Sequence, residues 1–334
     1  MVQVNPLLRR LVDALDEPAL MIECGMVSVA NPPARELLGR TIEGSDIRIA
    51  IRQPRALEFV LAGRPGEVEV SGLGDLGRPW RLSLQSIADG AQLLRLTDRS
   101  TAQASEKMRV DFVANASHEL RTPLTAVLGY AESIEDGDLD PQLAANFAAT
   151  IKSEAKRMLR IIDDLMGLSR IEADRFIAPP DKVALPEVIR SALENVRPLA
   201  HDRDCEIRAE FQDEMPSIRG DYPQLVQLVD NLLSNALRYG CRDSGNAIRV
   251  SAVAENGSIR IAVADQGPGI AREHLPFITR RFYRVDPARS RDSGGTGLGL
   301  AIVKHIVERH RGMLSIESRV GKGTTVTVTL PIDG

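Results

Sequence analysis

The stretch Ser117-His118-Glu119-Leu120-Arg121-Thr122-Pro123 sits inside a helical pattern that extends well beyond it. Apolar residues recur at Met108, Phe112, Ala116, Leu120, Leu124, Val127, Ala131 and Ile134, in steps of four and three that keep to one helical face. His118 is off that stripe: at about 100° per residue it lies roughly 160° round from both Ala116 and Leu120. Its imidazole is expected to face solvent or a partner. Pro123 lacks an N–H inside the pattern, which leaves the Glu119 carbonyl without its helical donor, costs about 3 kcal/mol and predicts a kink. Two readings of His118 stand at this point. One is a solvated surface histidine, with Glu119 and Arg121 as ordinary surface charges. The other is a nucleophile, because neutral imidazole is available at neutral pH and Glu119 can take its ring proton. A zinc site of the H-E-x-x-H type is excluded, since Thr122 occupies the place of the second histidine.

Residues 104 to 172 read as two helices joined by a polar turn, Glu135 to Pro141. The second helix has its own stripe, Ala144, Phe147, Ile151, Ala155, Met158, Ile162 and Leu165, at close to heptad spacing. Two helices cannot cover two such stripes, so a homodimeric four-helix bundle is the economical solution. A hairpin packed on other parts of its own chain is the alternative. Pro179-Pro180 then marks a linker.

Residues 1 to 98 begin with a helical segment, Leu7 to Leu15, followed by two apolar stretches, Ala19 to Ile22 and Met26 to Ala30, turning at Cys24-Gly25. Asn31-Pro32-Pro33 opens a short helix through Leu38. Glu67 to Val70, Trp80 to Leu84 and Gln92 to Leu96 alternate like strands separated by turns. The order of elements, with V-S-V-A-N-P-P-A-R-E-L-L-G from Val27 to Gly39, resembles a PAS sensor domain. That resemblance implies dimerisation and signal relay. The segment holds no histidine for haem and no flavin cysteine motif.

The chain has 334 residues, 43% hydrophobic and 26% charged, with a net charge of -4. This suits a globular protein of about two or three domains. There is no basic footprint, and one Trp with 4% aromatic residues offers little stacking surface, which argues against direct nucleic-acid binding. Cys24, Cys205 and Cys241 are odd in number, far apart in sequence and lack C-x-x-C spacing, so all three are expected to be reduced thiols. No apolar run reaches the roughly 18 residues of a membrane helix. The expected location is cytoplasmic, with inner-membrane association only if a longer natural chain carries an anchoring segment.

Residues 181 to 333 read helix (Leu185 to Ala200), strand (Cys205 to Phe211), helix (Tyr222 to Tyr239), and two strands around the Asn256-Gly257 hairpin signal. A Gly-rich loop, a helix (Leu298 to His310) and a last hairpin (Met313 to Leu330) follow. A two-layer α/β sandwich is expected. Asp265-Gln266-Gly267-Pro268-Gly269 ends a strand, placing a carboxylate beside glycines that let backbone approach a ligand. Gly294-Gly295-Thr296-Gly297-Leu298-Gly299-Leu300 runs straight into a helix, whose first N–H groups can cradle phosphates. It is neither a dinucleotide G-x-G-x-x-G nor a G-x-x-x-x-G-K-[ST] loop. Asn231 and Asn235 share one helical face, distinct from the apolar face of Leu225, Val229, Leu232 and Ala236, and two amides there suit a metal or phosphates. Arg238 and Lys304 add positive charge. Each of these, taken alone, is also an ordinary turn or surface charge.

S-H-E-L-R-T-P, N-L-L-S-N-A-L-R-Y, D-Q-G-P-G, R-F-Y-R and G-G-T-G-L-G-L-A-I-V-K together resemble, in type and order, the sensor histidine kinases of two-component systems. The resemblance covers residues 104 to 333. It implies a helical-hairpin dimerisation and phosphotransfer domain (104 to 172) and an ATP-binding domain (181 to 333) of the kind shared with gyrase and heat-shock-90 ATPases. By that resemblance His118 is phosphorylated, Glu119 is the general base, and Thr122 holds a water for dephosphorylating the response regulator. Asp265 hydrogen-bonds the adenine amino group and Asn235 binds Mg2+. Asn231, Arg238, Tyr239, Gly267, Gly269, Gly295, Thr296, Gly297, Leu298, Gly299 and Lys304 complete the ATP site, and Arg284 to Gly295 forms a mobile lid. D-F-V-A-N-A-S-H-E-L-R-T-P-L-T is similar to the phosphate-regulon sensor subgroup, with Thr279 departing from the phenylalanine usual before R-F-Y-R. The implied partners are a second copy of the chain and a response regulator with a receiver aspartate. A non-kinase ATPase of the same superfamily and a silent dimeric scaffold are the alternatives.

Overall fold

The computed structural model describes residues 6–73, 77–87, 90–137, 139–174, 177–241, 247–286 and 295–332, with only the backbone at Ser105 and Arg109. The chain divides into two compact units, Met1–Val113 and Ala114–Gly334. Among the described residues no helix is long and apolar enough to cross a membrane.

In the first unit, α1 (Pro6–Asp13) precedes a hairpin of β1 (Ala19–Glu23) and β2 (Met26–Ala30). Its two-residue turn has positive φ at both Cys24 and Gly25, the twist that suits a tight hairpin. Asn31 then does several jobs while fully buried. Its Oδ1 accepts from Ala34 N and Ala19 N, capping α2 (Pro32–Leu38), and its Nδ2 donates to the Leu15 and Glu17 carbonyls. Two helices absent from the sequence reading follow, α3 (Ile47–Ala50) capped by Asp46 and α4 (Pro54–Ala62) capped by Gln53. They are too short to show a clear helical period. β3 (Gly66–Ser71), β4 (Pro79–Ser86) and β5 (Gln92–Asp98) complete an antiparallel sheet in the order β2-β1-β5-β4-β3. Leu20, Leu82, Leu84, Leu94 and Leu96 pack with Ile47, Ala56 and Val60 of the helices, while Met21 and Val29 form a smaller cluster with Val12.

α5 (Ser100–Glu135) crosses the division between the units and continues as one helix through Pro123, where the sequence predicts a kink. After the turn, α6 (Pro141–Ala173) starts on an Asp140 cap. It carries two apolar faces. Of the predicted stripe, Ala155 and Ile162 are exposed, Ile162 at 42%, while Ala144, Phe147, Ile151, Met158 and Leu165 are half-buried. A second face, Arg157, Ile161, Leu168 and Ile171, is buried in the second unit.

The rest of the second unit is the expected two-layer sandwich. α7 (Leu185–Asp202), α8 (Tyr222–Asn235) and α9 (Gly299–Arg309) form one layer, with α8 against both α7 and α9, and α6 against α9. β7 (Glu206–Phe211), β9 (Ala247–Glu255), β10 (Ser258–Ala264), β11 (Met313–Arg319) and β12 (Gly323–Pro331) form the sheet, in the order β11-β12-β10-β9-β7. Alternation puts Ile248, Val250 and Ala252 of β9 and Ile259, Ile261 and Val263 of β10 on the buried face. β7 joins β9 in parallel, and two short strands outside the sequence reading, β6 (Asp181–Val183) and β8 (Ile218–Gly220), pair with each other. The helix expected to reach Tyr239 is α-helical to Asn235 and finishes as a π-turn, Ala236–Gly240. The cysteines are also a correction. Cys205 and Cys241 form a disulfide with Cα atoms 6.0 Å apart, leaving Cys24 free. Thirty-six residues separate them in sequence, and only the tertiary fold brings the start of β7 to the end of the π-turn.

His310, 4% exposed, anchors the start of α8. Its Nδ1 donates to the Ile306 carbonyl at 2.8 Å and its Nε2 accepts from Asp221 N at 3.1 Å, so the neutral ring satisfies both contacts. Burial holds its pKa below the ordinary value, with the Arg309 charge acting in the same direction and the Ile306 bond and Asp221 opposing. Below about pH 6.5 the unfolded chain takes up a proton that the folded one resists, so stability is full above that pH and declines as pH falls toward the lowered value. Melting temperatures recorded from pH 7 to 5 are expected to fall more steeply for the wild type than for His310→Gln. Equal slopes would remove His310 from the explanation.

Candidate functional site

Between the two layers lies a cavity of about 380 Å³. Its apolar wall comes from Leu232, Ala236, Val263, Ile270, Ile278, Ile316 and Val326, and its polar side chains include Asn235, Tyr239, Asp265, Tyr283, Arg284, Asp286 and Thr324. Asp265 follows the last residue of β10. Its Oδ1 accepts from Gly267 N at 2.9 Å and Thr324 N at 3.2 Å, which fixes the carboxylate and leaves Oδ2 for a ligand. Burial raises its pKa above the ordinary carboxylate value, with the two backbone N–H groups pulling the other way. The backbone closes tightly here. Gly269 has φ +69°, and a Cβ on it would overlap the Arg319 carbonyl.

At the far end of the cavity α9 begins without a side-chain cap, so its first N–H groups are not taken by a capping side chain. Gly295, Gly297, Gly299 and Leu300 line the wall there. Gly297, at φ +72°, lies against the Phe282 backbone, and Phe282 N donates to the Gly297 carbonyl at 2.8 Å. A Cβ on Gly299 would come 3.0 Å from Asn231 Oδ1 and 3.6 Å from Asn235 Nδ2, so both amides face the start of α9. Amide oxygens suit a hard cation that takes its remaining ligands from phosphate.

Of the residues singled out in sequence, Asn235, Tyr239, Asp265, Gly269, Gly295, Gly297 and Gly299 line the cavity. Asn231 and Gly267 stand directly behind that lining. The others are not part of that lining. Leu298 is fully buried, and Lys304 is half exposed with its ammonium 3.9 Å from Glu308. Thr296 Oγ donates to Asp164 of α6 at 2.7 Å and accepts from Leu298 N at 3.3 Å. Arg238 is half-buried, with its pKa lowered by burial first and then by Arg160, while Tyr239 and Asp164 act oppositely. Residues 287–294 of the expected lid lie outside the described residues.

The hairpin meets the cavity through charged contacts that sequence reading missed. Arg284 lines the cavity and donates to the Gly295 carbonyl at 2.5 Å, and its other terminal nitrogen is 3.7 Å from Glu119 Oε2. Arg157 of α6 donates to the same oxygen at 3.0 Å. Farther along α6, Glu172 pairs with Arg281 and lies 3.4 Å from His305 Nε2. His118 itself is exposed, and Thr122 Oγ donates to its carbonyl at 3.2 Å. Arg157 and Glu172 resemble surface charges in sequence. The available signal was alignment of Arg157 with Ile161, Leu168 and Ile171 along a second face.

Residues 108–174 match the His Kinase A phospho-acceptor domain, and residues 220–334 match the histidine kinase-, DNA gyrase B- and HSP90-like ATPase family. The phosphate regulon sensor protein PhoR of Pseudomonas aeruginosa is 34% identical over 325 residues, covering 94% of this chain and 72% of that protein. The chain belongs to the sensor histidine kinases. A second relative, the sensor-like histidine kinase SenX3 of Mycolicibacterium smegmatis, is 33% identical and covers 87% of the kinase and 78% of its own length. Among solved structures, histidine kinase ThkA, in complex with response regulator protein TrrA, aligns at TM-score 0.52 and 18% identity. The alignment covers 97% of the kinase and 98% of ThkA. At that identity the likeness concerns fold alone. The kinase is thus an ATP-dependent protein-histidine kinase of the phosphate-regulon-like subgroup, signalling to a response regulator.

Proposed function

We propose that His118 is the phosphorylated residue and that Asp265, Asn235 and the start of α9 hold the ATP that phosphorylates it. The observation that carries this reading is Arg284, whose guanidinium lines the nucleotide cavity and reaches the carboxylate next to His118. A ring nitrogen of His118 attacks the γ-phosphorus while the bond to the ADP oxygen breaks and its electron pair leaves with ADP. The proton on the other ring nitrogen passes to Glu119. Positioning and charge neutralisation carry most of the rate, with Arg284 and the N–H groups at the start of α9 facing the phosphates. Mg2+ fits beside Asn235 and Asn231, where it would neutralise phosphate charge. The phosphoryl group then moves to a receiver aspartate. Label carried by the phosphorylated kinase and passed to a receiver domain within seconds supports this. Label that stays on the kinase with every receiver domain tested opposes it.

Residues 1–98 are a PAS-like sensor, supported by the antiparallel sheet and the helices between β2 and β3. Residues 104–172 form the dimerisation and phosphotransfer domain and 181–333 the ATP-binding domain. The exposed faces of Leu124, Leu128, Ile162 and Met166 support a homodimer, with a second hairpin as the cover. A monomer in sedimentation equilibrium at micromolar concentration would contradict it. The likeness to PhoR supports a role in phosphate-starvation signalling.

Thr122, one turn after His118, holds the water that removes phosphate from the regulator. Replacing it with alanine is expected to slow regulator dephosphorylation about 100-fold while autophosphorylation stays within about twofold. Equal loss of both activities would assign Thr122 to the helix and not to the water.

A further inference from the structure

Three basic residues stand close together on α6, Lys156, Arg157 and Arg160, and only the middle one is buried. The Arg157 side chain is 8% exposed. Burying a guanidinium is costly unless it is paired and hydrogen-bonded, so its partners define why it is there. One terminal nitrogen donates to Glu119 Oε2 at 3.0 Å, and the other is 3.7 Å from Glu154 Oε2. Its Nε has no acceptor among the described residues. A structural ion pair would be expected to satisfy that third donor as well. Here the hydrogen bond goes to Glu119 Oε2, while Glu154 stands at the longer ion-pair distance.

Glu119 Oε2 is approached by two guanidiniums, Arg157 at 3.0 Å and Arg284 at 3.7 Å. They hold it differently. Arg284 also donates to the Gly295 carbonyl, so its position follows the phosphate loop. Arg157 comes from the second helix of the hairpin, and its grip is independent of that loop. We propose that Arg157 is a positioning residue for autophosphorylation: by holding Oε2 it fixes the carboxylate and presents Oε1 to the N–H of the His118 ring. This rests on the reading of Glu119 as the general base. When the N–P bond forms and ADP leaves with the electron pair of the broken P–O bond, the ring proton moves to Oε1. Arg157 stays protonated throughout and touches neither nucleotide nor histidine. A carboxylate free to turn about its side-chain bonds would meet the ring N–H only part of the time, so the cost of losing Arg157 falls on the chemical step and not on ATP binding.

The test is a double-mutant cycle on the full chain, with single-turnover autophosphorylation as the rate and fluorescent-nucleotide titration as the affinity. Arg157→Gln is expected to slow the step at least tenfold with nucleotide affinity within twofold of wild type. In the Glu119→Gln background the same change is expected to have no further effect. Arg157→Lys keeps the buried charge with a single ammonium, takes the place of Arg157→Gln if the glutamine variant misfolds, and is expected to be slowed by an intermediate amount. A wild-type rate for either Arg157 variant, or Arg157 and Glu119 effects that multiply, overturns the proposal. An unchanged rate for Glu119→Gln alone overturns the base assignment beneath it, and is read separately from the Arg157 variants.

Discussion

His118→Gln is expected to bind ATP as the wild type does and to take up acid-labile phosphate at least about a thousandfold more slowly, because the change removes the nucleophile and leaves the cavity untouched. The side chain is exposed on α5 and no residue of the cavity lining belongs to that helix. Glutamine is a good helix former of similar length, so the hairpin should fold normally. Nucleotide titration and uptake of γ-labelled phosphate, measured on one preparation, separate the two effects. Loss of binding together with loss of label would mean that the substitution had disturbed the fold. Undiminished label would place the phosphate elsewhere.

Asp265→Asn is expected to act in opposite directions on binding and on stability. Gly267 N and Thr324 N both donate to Asp265 Oδ1. An asparagine has one oxygen, and those two donors will claim it. Its NH2 would then point at the adenine amino group, donor against donor, where the carboxylate offers an acceptor. Loss of a charge-assisted bond of about 1.5–3 kcal/mol corresponds to roughly tenfold to a hundredfold weaker ATP binding. Stability follows from the raised pKa. A carboxyl whose folded pKa lies above its unfolded value favours folding below the unfolded value, and that advantage is lost as pH rises through the folded value. At neutral pH the buried charge is therefore a cost, and the neutral amide removes it. The nucleotide-free variant is expected to melt higher than the wild type at pH 7 and to lose that margin near pH 4. A lower melting temperature at pH 7 would mean that the backbone contacts outweigh desolvation.

Much of this architecture is written locally in the chain. Cys24-Gly25 and Asn256-Gly257 mark tight hairpins because both residues in each turn need positive φ, and the structure has both turns at those positions. Alternation in β9 and β10 and the Asn31 cap are equally local. What sequence missed depends on distant segments. Cys205 and Cys241 meet only through the fold. Leu298 falls inside a glycine-rich loop and so suggests a ligand contact, yet it turns inward and is fully buried. Lys304 lies on the helix after the phosphate loop, but that helix carries it out of the cavity lining toward Glu308. Arg157 is the opposite case, a charge among charges in sequence that proves to be buried against Glu119. The α6 stripe predicts a dimer, and the face that buries Arg157 lies beside it, so a single periodicity does not report both.

Labelling tests whether a nucleophilic histidine is served by the nucleotide site of the same protein. The most direct measurement is to incubate the wild-type protein with Mg2+ and γ-labelled ATP, quantify acid-labile, alkali-stable label, and locate it by peptide mapping under alkaline conditions. The expected result is phosphate on the peptide that contains His118, approaching one per chain at saturating ATP. ATP hydrolysis without any such label, or label confined to another residue, would contradict it.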